Sequence, residues 1–432
     1  MNELPSIEQI ASCVSGYDPN ALPVAQAQEF IARFVTPVAA VESIALRATL
    51  GRVLAADVVS PIDVPAHDNS AMDGFALRGA DLAAEGDTRL RVVGTGLAGQ
   101  QFDGAAPARG ECVRIMTGAV MPPGLDTVVP QEFTRSDGDV VVIPAGAVRT
   151  GDNRRLAGED LARGEAALTA GRLIRPADLG LAASLGRAEL PVRRRLRVAF
   201  FSTGDELRSI GEPLDAGCVY DSNRYTIHGM LARLGVDAID MGVVRDDPAA
   251  LEAAFRAAAD CADAVITSGG VSVGEADYTK QTMAKLGEVA FWRIAMRPGR
   301  PMAIGRIHAA GPGSKAAVLF GLPGNPVAVM VTFYAFVRDA LLRMAGAAPE
   351  PLPMLSARSA EAIRKKPGRT EYQRGRVVRG ADGDWHVSLT GAQGSGILRS
   401  MSQANGLVVL RHEQGSVAAG ERVDVMPFDG LV

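Results

Sequence analysis

The chain has 432 residues, more than one domain usually holds, so we expect two to four domains with separate cores. Its net charge of −4 and its pI of about 5.9 argue against a nucleic-acid partner, because neither provides a basic field for a phosphate backbone. No apolar run reaches the roughly 18 residues of a membrane span, and the first residues lack a secretory signal pattern. We therefore expect no membrane partner, a cytoplasmic location and four reduced cysteines.

The N-terminal part of the chain combines helical turns with short strands. From Ser6 to about Ala40 the apolar spacing predicts helices, interrupted between Gly16 and Pro23. Between Pro61 and Val148, runs such as LRVVGTG and DVVVIP alternate with Gly, Pro and Asp-Gly turns and predict a small β-rich domain. Pro176 to Leu185 is typical of a short connecting helix.

The clearest architecture lies between Leu196 and Gly346. Strand-like LRVAFF, VDAIDMGVV and AVITSGG alternate with amphipathic helical segments, which predicts a parallel sheet with helices on both faces. Asp247-Pro248 and Pro326 are predicted to begin two of these helices. Past Pro351 the runs GRVVRG, WHVSLT, GLVVL and RVDVMPF predict a small β-barrel or sandwich.

The predicted fold class is α/β multidomain, with a central parallel α/β sheet domain. The predicted units are an N-terminal helical/linker domain (residues 1–60 plus 150–192), a small β-rich domain (61–149), the α/β domain (193–346) and a C-terminal β-barrel domain (347–432).

Three loops follow predicted strands of the α/β region, at residues 202–206 (STGDE), 267–272 (TSGGVS) and 321–326 (GLPGNP). Such strand ends form the ligand crevice of open α/β sheets. Glycine amides and nearby hydroxyls can hold a phosphate group there. One loop of this kind is more often an ordinary turn, but three on successive strands favour an anionic, phosphate-bearing ligand.

Acidic residues accompany the predicted strands of this region: Asp205 and Glu206, Asp246 and Asp247, and Glu275 with Asp277. Carboxylates beside phosphate suggest a bridging Mg²⁺ ion, which prefers hard oxygen ligands. The alternative is helix capping, and for the middle pair, just before Pro248, capping alone would suffice. For Glu206 and Asp277 we favour a functional role.

Residues 65–76 (PAHDNSAMDGFA) place several polar side chains in a short stretch without amphipathic period. Polar density of this kind suits a loop that forms a site, although a set of Asx and Ser turns would give the same pattern. His67 in this stretch is interpreted as a packing or hydrogen-bonding residue.

Together with RIMTG (114–118), GED (158–160), YDSNR (220–224) and GEADYT (274–279), these motifs resemble the MoeA family, the molybdopterin molybdenumtransferases, to which the gephyrin E domain is related. The resemblance runs from about Ser6 to Phe428 in matching order. It implies a central domain of molybdopterin-binding type. It also implies a Mg²⁺-dependent transferase that inserts molybdenum from molybdate into adenylylated molybdopterin and releases AMP, completing molybdenum cofactor biosynthesis.

The resemblance also implies a set of site residues. The implied catalytic residues are Asp73, Thr117, Asp160, Glu206, Asp246 and Asp277, of which Glu206, Asp246 and Asp277 are also implied Mg²⁺ ligands. The substrate-binding candidates are Ser70, Thr203, Gly204, Ser222, Asn223, Ser268, Gly269, Gly270, Ser272, Arg297, Arg300, Pro323, Gly324, Asn325 and Pro326. Relatives often carry Lys where Arg297 and Arg300 stand, and arginine keeps the charge while adding a two-pronged donor.

The partners implied by the resemblance are adenylylated molybdopterin, molybdate and a second copy of the chain. In the implied homodimer, the α/β domain of one subunit and the DNSAMDG region of the other form the site together. Transient contact with the molybdopterin adenylyltransferase and with downstream molybdoenzyme maturation proteins is a further expectation. Molybdate and tungstate are similar tetrahedral dianions, so the sequence leaves the choice between them open.

Two other functions compete with this one. The α/β domain could perform the preceding step, adenylyl transfer from ATP to molybdopterin, although the chain shows no second copy of that domain. The chain could also be a scaffold that binds cofactor intermediates without turnover. Loss of the acidic residues would favour a scaffold, and here Asp73, Glu206, Asp246 and Asp277 are all present.

Overall fold

The computed structural model describes residues 5–271, 278–310, 314–348 and 350–428. Within these ranges the chain forms three six-stranded sheets and several two-stranded ones. No helix in the described residues is long and apolar enough to cross a bilayer. All four cysteines are unpaired, as the sequence predicted.

The predicted helical segment at the N-terminus is confirmed, as Ile7–Ser12 and Val24–Phe34. The first helix begins at a capping box in which the Ser6 hydroxyl accepts the Gln9 N–H. The second buries its apolar face, including Phe30, in the same core as Trp292 of the α/β unit. The two helices thus contact the α/β unit, while the grouping of residues 1–60 with the linker stays a prediction.

The linker unit is built from two short antiparallel strand pairs and one helix. Its elements are the strand Val41–Ala45 paired with Glu189–Arg193, the strand Val58–Val59 paired with Ala166–Leu168, the 3-10 turn Leu46–Thr49 and the helix Pro176–Ser184. The helix confirms the segment predicted from Pro176. A small core that includes Leu54, Ile174 and Leu190 joins these elements.

The predicted small β-rich unit contains a six-stranded sheet. Its strands, in spatial order, are Thr127–Pro130, Gly74–Leu77, Glu111–Ile115, Thr88–Gly96, Val140–Ile143 and Arg135–Asp137. Short 3-10 turns span Gly79–Asp81 and Gln131–Phe133. The strand Asn69–Ser70 pairs with Arg154–Arg155, which joins the DNSAMDG loop to the chain that returns to the linker.

The α/β unit contains a mixed six-stranded sheet. Its strands, in spatial order, are Asp237–Val244, Arg197–Thr203, Ala264–Ser268, Ala316–Leu322, Pro301–His308 and Gly287–Arg293. The first four are parallel, which confirms the predicted parallel sheet. The last two are antiparallel strands that the sequence analysis did not predict.

Helices cover both faces of this sheet, as predicted. Ser222–Arg233 lies on one face together with the segment that begins at Pro326 and runs as Pro326–Thr332, the π-helical turn Phe333–Val337 and Arg338–Met344. Pro248–Cys261 and Tyr278–Leu286 lie on the other face. A small parallel ribbon pairs Leu207–Arg208 with Val219–Tyr220.

The C-terminal unit is a closed five-stranded barrel. Its strands, in order around the barrel, are Thr370–Arg379, Trp385–Leu389, Leu355–Ser359, Arg422–Pro427 and Gly406–Leu410, and the last pairs with the first. The helix Leu398–Gln403 packs beside it. The short strand Met296–Arg297 of the α/β unit pairs with Thr370–Arg379, so the barrel is held against the α/β unit next to Arg297.

Candidate functional site

A cleft of about 710 Å³ opens at the carboxyl ends of the parallel strands, where the three predicted loops converge. This volume lies in the range of small-molecule sites. The structure places these candidate residues in its lining: Thr203, Gly204, Glu206, Asn223, Asp246, Ser268, Gly269, Gly270, Arg297, Arg300, Pro323, Gly324 and Asn325. Ser272 and Asp277, like Glu275, lie outside the described residues.

Two glycines allow close contacts in this cleft, one between the first two loops and one within the first loop. A Cβ atom at Gly269 (φ +99°) would lie 2.5 Å from the Thr203 carbonyl oxygen, so no other residue fits without movement. A Cβ atom at Gly204 (φ +149°) would lie 2.6 Å from a carboxylate oxygen of Glu206. The Glu206 carboxylate therefore lies against the loop backbone at Gly204, in the position that a side chain at residue 204 would occupy.

Asn223 connects the second and third loops. Its side-chain amide donates to the Ser268 hydroxyl at 2.8 Å and to the Gly324 carbonyl at 2.6 Å. The Ser268 hydroxyl in turn donates to the Pro323 carbonyl at 3.3 Å. The hydrogen bonds hold the two loops in one arrangement before any ligand binds.

The helix that carries Asn223 is itself fixed by Asp221. This carboxylate, only 2% exposed, accepts the Ser202 hydroxyl at 3.0 Å and the Arg224 N–H at 3.2 Å as the N-cap. Ser222, predicted to bind substrate, begins the helix and does not line the cleft. Pro326 likewise begins its helix beside the cleft without lining it.

Two buried oxygen atoms in this cleft have no hydrogen-bond partner within the described part of the chain: Thr203 Oγ1 and Asn223 Oδ1. An unsatisfied buried polar atom is unfavourable, and in native structures it usually has an explanation such as a ligand. The guanidinium groups of Arg297 and Arg300 are exposed and pair with no described carboxylate. The cleft therefore offers both hydrogen-bonding atoms and positive charge to an anionic ligand.

Glu206 and Asp246 are the acidic residues in the described lining of the cleft. No group of three His, Cys, Asp or Glu side chains with metal-binding geometry occurs among the described residues. Two carboxylates beside a phosphate cradle fit Mg²⁺ nevertheless, because this ion usually takes one or two carboxylates together with substrate phosphates and water. Asp247, the neighbour of Asp246, caps the helix Pro248–Cys261 by accepting the N–H groups of Ala249 and Ala250.

A second group of candidates lies in the small β-rich unit and, for Asp160, in the chain that returns to the linker, and none of its members lines the described cleft. The Asp73 carboxylate accepts both the backbone N–H and the hydroxyl of Thr117, each at 2.7 Å. Ser70 is buried, and its hydroxyl donates to the Met72 carbonyl at 2.5 Å. Asp160 is exposed, and its N–H donates to the Val64 carbonyl.

The Asp73–Thr117 contact controls the ionisation of the carboxyl group. The backbone N–H of Thr117, followed by its hydroxyl, lowers the pKa of Asp73 below its ordinary value. Asp73 is therefore an ionised acceptor at neutral pH. The pKa of Asp73 is lower in the folded protein than in the unfolded chain, so the contact stabilises the folded protein at pH values above the unfolded-state pKa. This stabilisation is lost as the pH falls through the folded-state pKa.

Replacing Thr117 by valine tests this contact. The substitution removes the hydroxyl donor but keeps the backbone N–H, so we expect the pKa of Asp73 to rise while remaining below its ordinary value. An NMR titration of isotope-labelled aspartate carboxyls measures it. Thr134→Val is the control, because the Thr134 hydroxyl donates to a backbone carbonyl and should leave the pKa of Asp73 unchanged. An unchanged Asp73 pKa in Thr117→Val would contradict the assignment.

Three family models match the chain in order: the MoeA N-terminal region (domain I and II) over residues 22–186, a probable molybdopterin binding domain over 199–343 and the MoeA C-terminal region (domain IV) over 356–428. The molybdopterin molybdenumtransferase of Haemophilus influenzae is 41% identical over 392 residues, which cover 90% of this chain and 95% of the relative. The chain belongs to the MoeA family.

Other members agree with this assignment. The molybdopterin molybdenumtransferase of a Nostoc species is 38% identical, over 89% of this chain and 88% of the relative. The crystal structure of the molybdopterin biosynthesis MoeA protein from Pyrococcus horikoshii superimposes with a TM-score of 0.79 at 27% identity, covering 95% of this chain and all of that one. The overall fold is therefore that of a solved MoeA protein.

The MoeA C-terminal region contributes cleft residues that the sequence analysis missed: Arg369, Gln393, Gly394 and Ser395. The available signal was the Gly-Ser-Gly run at 394–396, which resembles the other ligand loops in composition. The loop is held by Arg374, which is fully buried and donates to the backbone carbonyls of Ala392, Gln393 and Gly394. It is also docked on the α/β unit, because the Val327 N–H donates to the Ser395 carbonyl at 3.0 Å.

Burial lowers the pKa of the Arg374 guanidinium, and the nearby positive charge of Arg297 lowers it further. Arginine remains protonated despite such shifts. The described lining of the cleft therefore holds Arg297, Arg300 and Arg369, the last paired with Glu371, and the buried Arg374 is bound to the loop at 392–394. This cluster of positive charge favours an anionic ligand.

Proposed function

We propose that this chain inserts molybdenum from molybdate into adenylylated molybdopterin and releases AMP, as the names of its MoeA relatives suggest. The observation that carries the proposal is the convergence of three glycine-containing loops, two of which also contain Ser and Thr, on one cleft with Glu206, Asp246, Arg297 and Arg300. A pyrophosphate linkage, a pterin phosphate and a molybdate ion are all anions. One cationic cleft with acceptors and amide donors suits this combination.

The loop residues bind and orient the pyrophosphate. Backbone amides near Gly204 and Gly270 would donate to phosphate oxygens, whereas the Gly269 N–H already donates to the Leu322 carbonyl at 3.1 Å and holds the second loop beside the third. The Thr203 oxygen and the Asn223 side-chain oxygen, both without a described partner, supply further contacts. Arg297 and Arg300 attract molybdate and the terminal phosphate, each with a two-pronged donor.

We further propose that Glu206 and Asp246, with Asp277, hold Mg²⁺. Bound there, the ion would neutralise negative charge that develops on the departing AMP phosphate. The two described carboxylates lie in the same cleft as the phosphate-binding loops, which is the arrangement that a bridging cation requires. Glu206 is placed close to the loop backbone because Gly204 leaves space for its carboxylate.

We propose that the working form is a homodimer in the cytoplasm. Asp73 and Thr117 belong to the implied catalytic set, yet they lie in a unit that contributes no residue to the described lining of the cleft. A second copy could supply them, so each site would combine the cleft of one subunit with the Asp73 loop of the other. Unpaired cysteines are in keeping with a reducing compartment.

The test is AMP release from adenylylated molybdopterin by purified protein, measured with and without molybdate and Mg²⁺. We expect release that depends on both ions and that is lost in Asp277→Ala. Consumption of ATP with adenylylation of free molybdopterin would instead identify the chain as an adenylyltransferase. Tight binding of the intermediate without turnover under every condition would identify a scaffold.

A further inference from the structure

A second cavity, of about 730 Å³, shares no described lining residue with the cleft. It opens where the linker unit, the α/β unit and the connector to the barrel meet. Residues 169–173 form one wall, and residues 233–235, at the end of the helix Ser222–Arg233, form another. Arg338 and Leu342 of the helix Arg338–Met344 also line it, as do residues 347–348 and 350–353 of the connector. The remaining described lining residues are Leu50, Gly51, Arg175 and Arg195.

Positive charge dominates this cavity. Its described lining holds five arginines and one carboxylate, Glu350; the arginines are Arg172, Arg175, Arg195, Arg233 and Arg338. We call it the arginine cavity. Burying or crowding this many like charges is unfavourable unless anions compensate them, and a ligand is one source of such compensation.

Three of the five guanidinium groups already have a carboxylate partner. Arg172 pairs with Asp178 at 2.9 Å, Arg175 with Glu350 at 3.2 Å and Arg338 with Asp339 at 2.6 Å. These pairs partly neutralise the charge of the cavity.

Arg195 and Arg233 pair with no carboxylate among the described residues. Arg195 donates to the Gly235 carbonyl at 3.1 Å, which orients its side chain along the cavity wall. Arg233 lies at the C-terminus of its helix, where the negative end of the helix dipole favours a cation. This interaction does not occupy the N–H groups of the Arg233 guanidinium. Two positive charges therefore remain for an anion.

Apart from Thr169, the rest of the described lining consists of Leu, Ala, Pro and Gly residues. Leu50 and Leu173 are 51% and 39% exposed at the rim, although leucine side chains gain by burial. Leu234, Leu342 and Leu352 lie deeper in the same lining. An occupant that only carried charge would leave these leucines exposed, whereas a ring system would cover them and could stack on a guanidinium plane.

We propose that the arginine cavity binds a small phosphate-bearing ring compound of the nucleotide class. The phosphate meets Arg195 and Arg233, and the ring packs on the leucines. A second copy of the chain is a poorer occupant, because the same face on both partners would bring like charges together. Since the cavity joins three units of the chain, its ligand would also hold them in one relative orientation.

The proposal is tested by photo-cross-linking the full-length protein with azido-AMP and mapping the labelled peptides by mass spectrometry. Mapping is needed because the cleft is itself proposed to bind AMP, and only the labelled position separates the two sites. We expect label within residues 169–175 or 342–353, separate from any label near residues 393–395 of the cleft. Azidoadenosine, which lacks the phosphate, should not label the arginine cavity.

The double variant Arg195→Ala/Arg233→Ala should lose about tenfold or more of the cavity label, since two charge-assisted contacts are removed, and should keep the cleft label. Arg376→Ala/Arg379→Ala is the matched control, with two exposed barrel arginines and no expected change. Inorganic pyrophosphate should displace the cavity label from the unmodified protein, a test that needs no substitution.

Each opposite outcome overturns the proposal. The proposal is wrong if azido-AMP does not label the arginine cavity of the unmodified protein, or if it still labels the cavity in the double variant. It is also wrong if azidoadenosine labels the cavity as strongly as azido-AMP does. A change in molecular mass of the double variant by light scattering would show that this face joins copies of the chain instead. None of these results bears on AMP release at the cleft, so the proposed function is tested separately.

Discussion

Replacing Glu206 by glutamine is expected to lower the rate of AMP release by about a hundredfold or more, because the loss of a charged metal ligand removes several kcal/mol of charge stabilisation. Glutamine keeps the shape of the side chain beside Gly204, so the loops should stay in place. The thermal unfolding midpoint should change little. Excess Mg²⁺ should restore part of the activity if Asp246 still holds the ion weakly.

The matched control is Glu212→Gln, which makes the same chemical change in the exposed segment that follows the first loop. Glu212 accepts the Ser209 N–H and does not line the described cleft, so its variant should keep full activity. The measurement is the AMP release rate over a Mg²⁺ titration for both variants. Full activity of Glu206→Gln at ordinary Mg²⁺ concentrations would remove Glu206 from the proposed metal site.

The convergence of the three loops was predictable from the sequence. Parallel strands place their carboxyl ends at one edge of a sheet, so loops after Thr203, Ser268 and Leu322 have to be neighbours once the strands are recognised. Strong apolar runs made those strands recognisable. The two strands between Ser268 and Ala316 in the chain, Gly287–Arg293 and Pro301–His308, pair in antiparallel fashion and were missed, because their pairing depends on tertiary context rather than on a local pattern.

The contribution of the barrel to the cleft could not be predicted in this way. It depends on where the barrel docks, and docking is set by long-range contacts such as the pairing of Met296–Arg297 with Thr370–Arg379. Gln393 and Ser395 reach the cleft only through that docking. The sequence offered a glycine-rich composition there and no strand end to position it.

The adjacent pair Asp246 and Asp247 shows where sequence reasoning stops at a single residue. Capping and a site role were both open for each of them. The structure gives the cap to Asp247, which accepts two helix N–H groups, and places Asp246 in the lining of the cleft. The helix cap and the cleft lining are thus one residue apart in the chain, and sequence spacing alone cannot tell which of the two aspartates has which role.

A mixture of two inactive variants, Asp73→Asn and Glu206→Gln, is expected to regain activity if each site is shared between subunits. Half of the dimers in a randomly exchanged equal mixture contain one copy of each variant. In such a dimer, the intact cleft of one subunit faces the intact Asp73 loop of the other, while the second site carries both changes. Activity should therefore return to about a quarter of the wild-type value.

The control mixture combines Glu206→Gln with Asp246→Asn, two changes that both lie in the described cleft. No dimer of these variants contains an intact cleft, so this mixture should stay inactive. The measurement is AMP release after the variants are unfolded together and refolded, or are co-expressed with different tags. If the Asp73 and Glu206 variants also fail to complement although mixed dimers are isolated, each site draws both residues from one chain. A monomer with full activity would lead to the same conclusion, because Asp73 would then have to act in the cleft of its own chain.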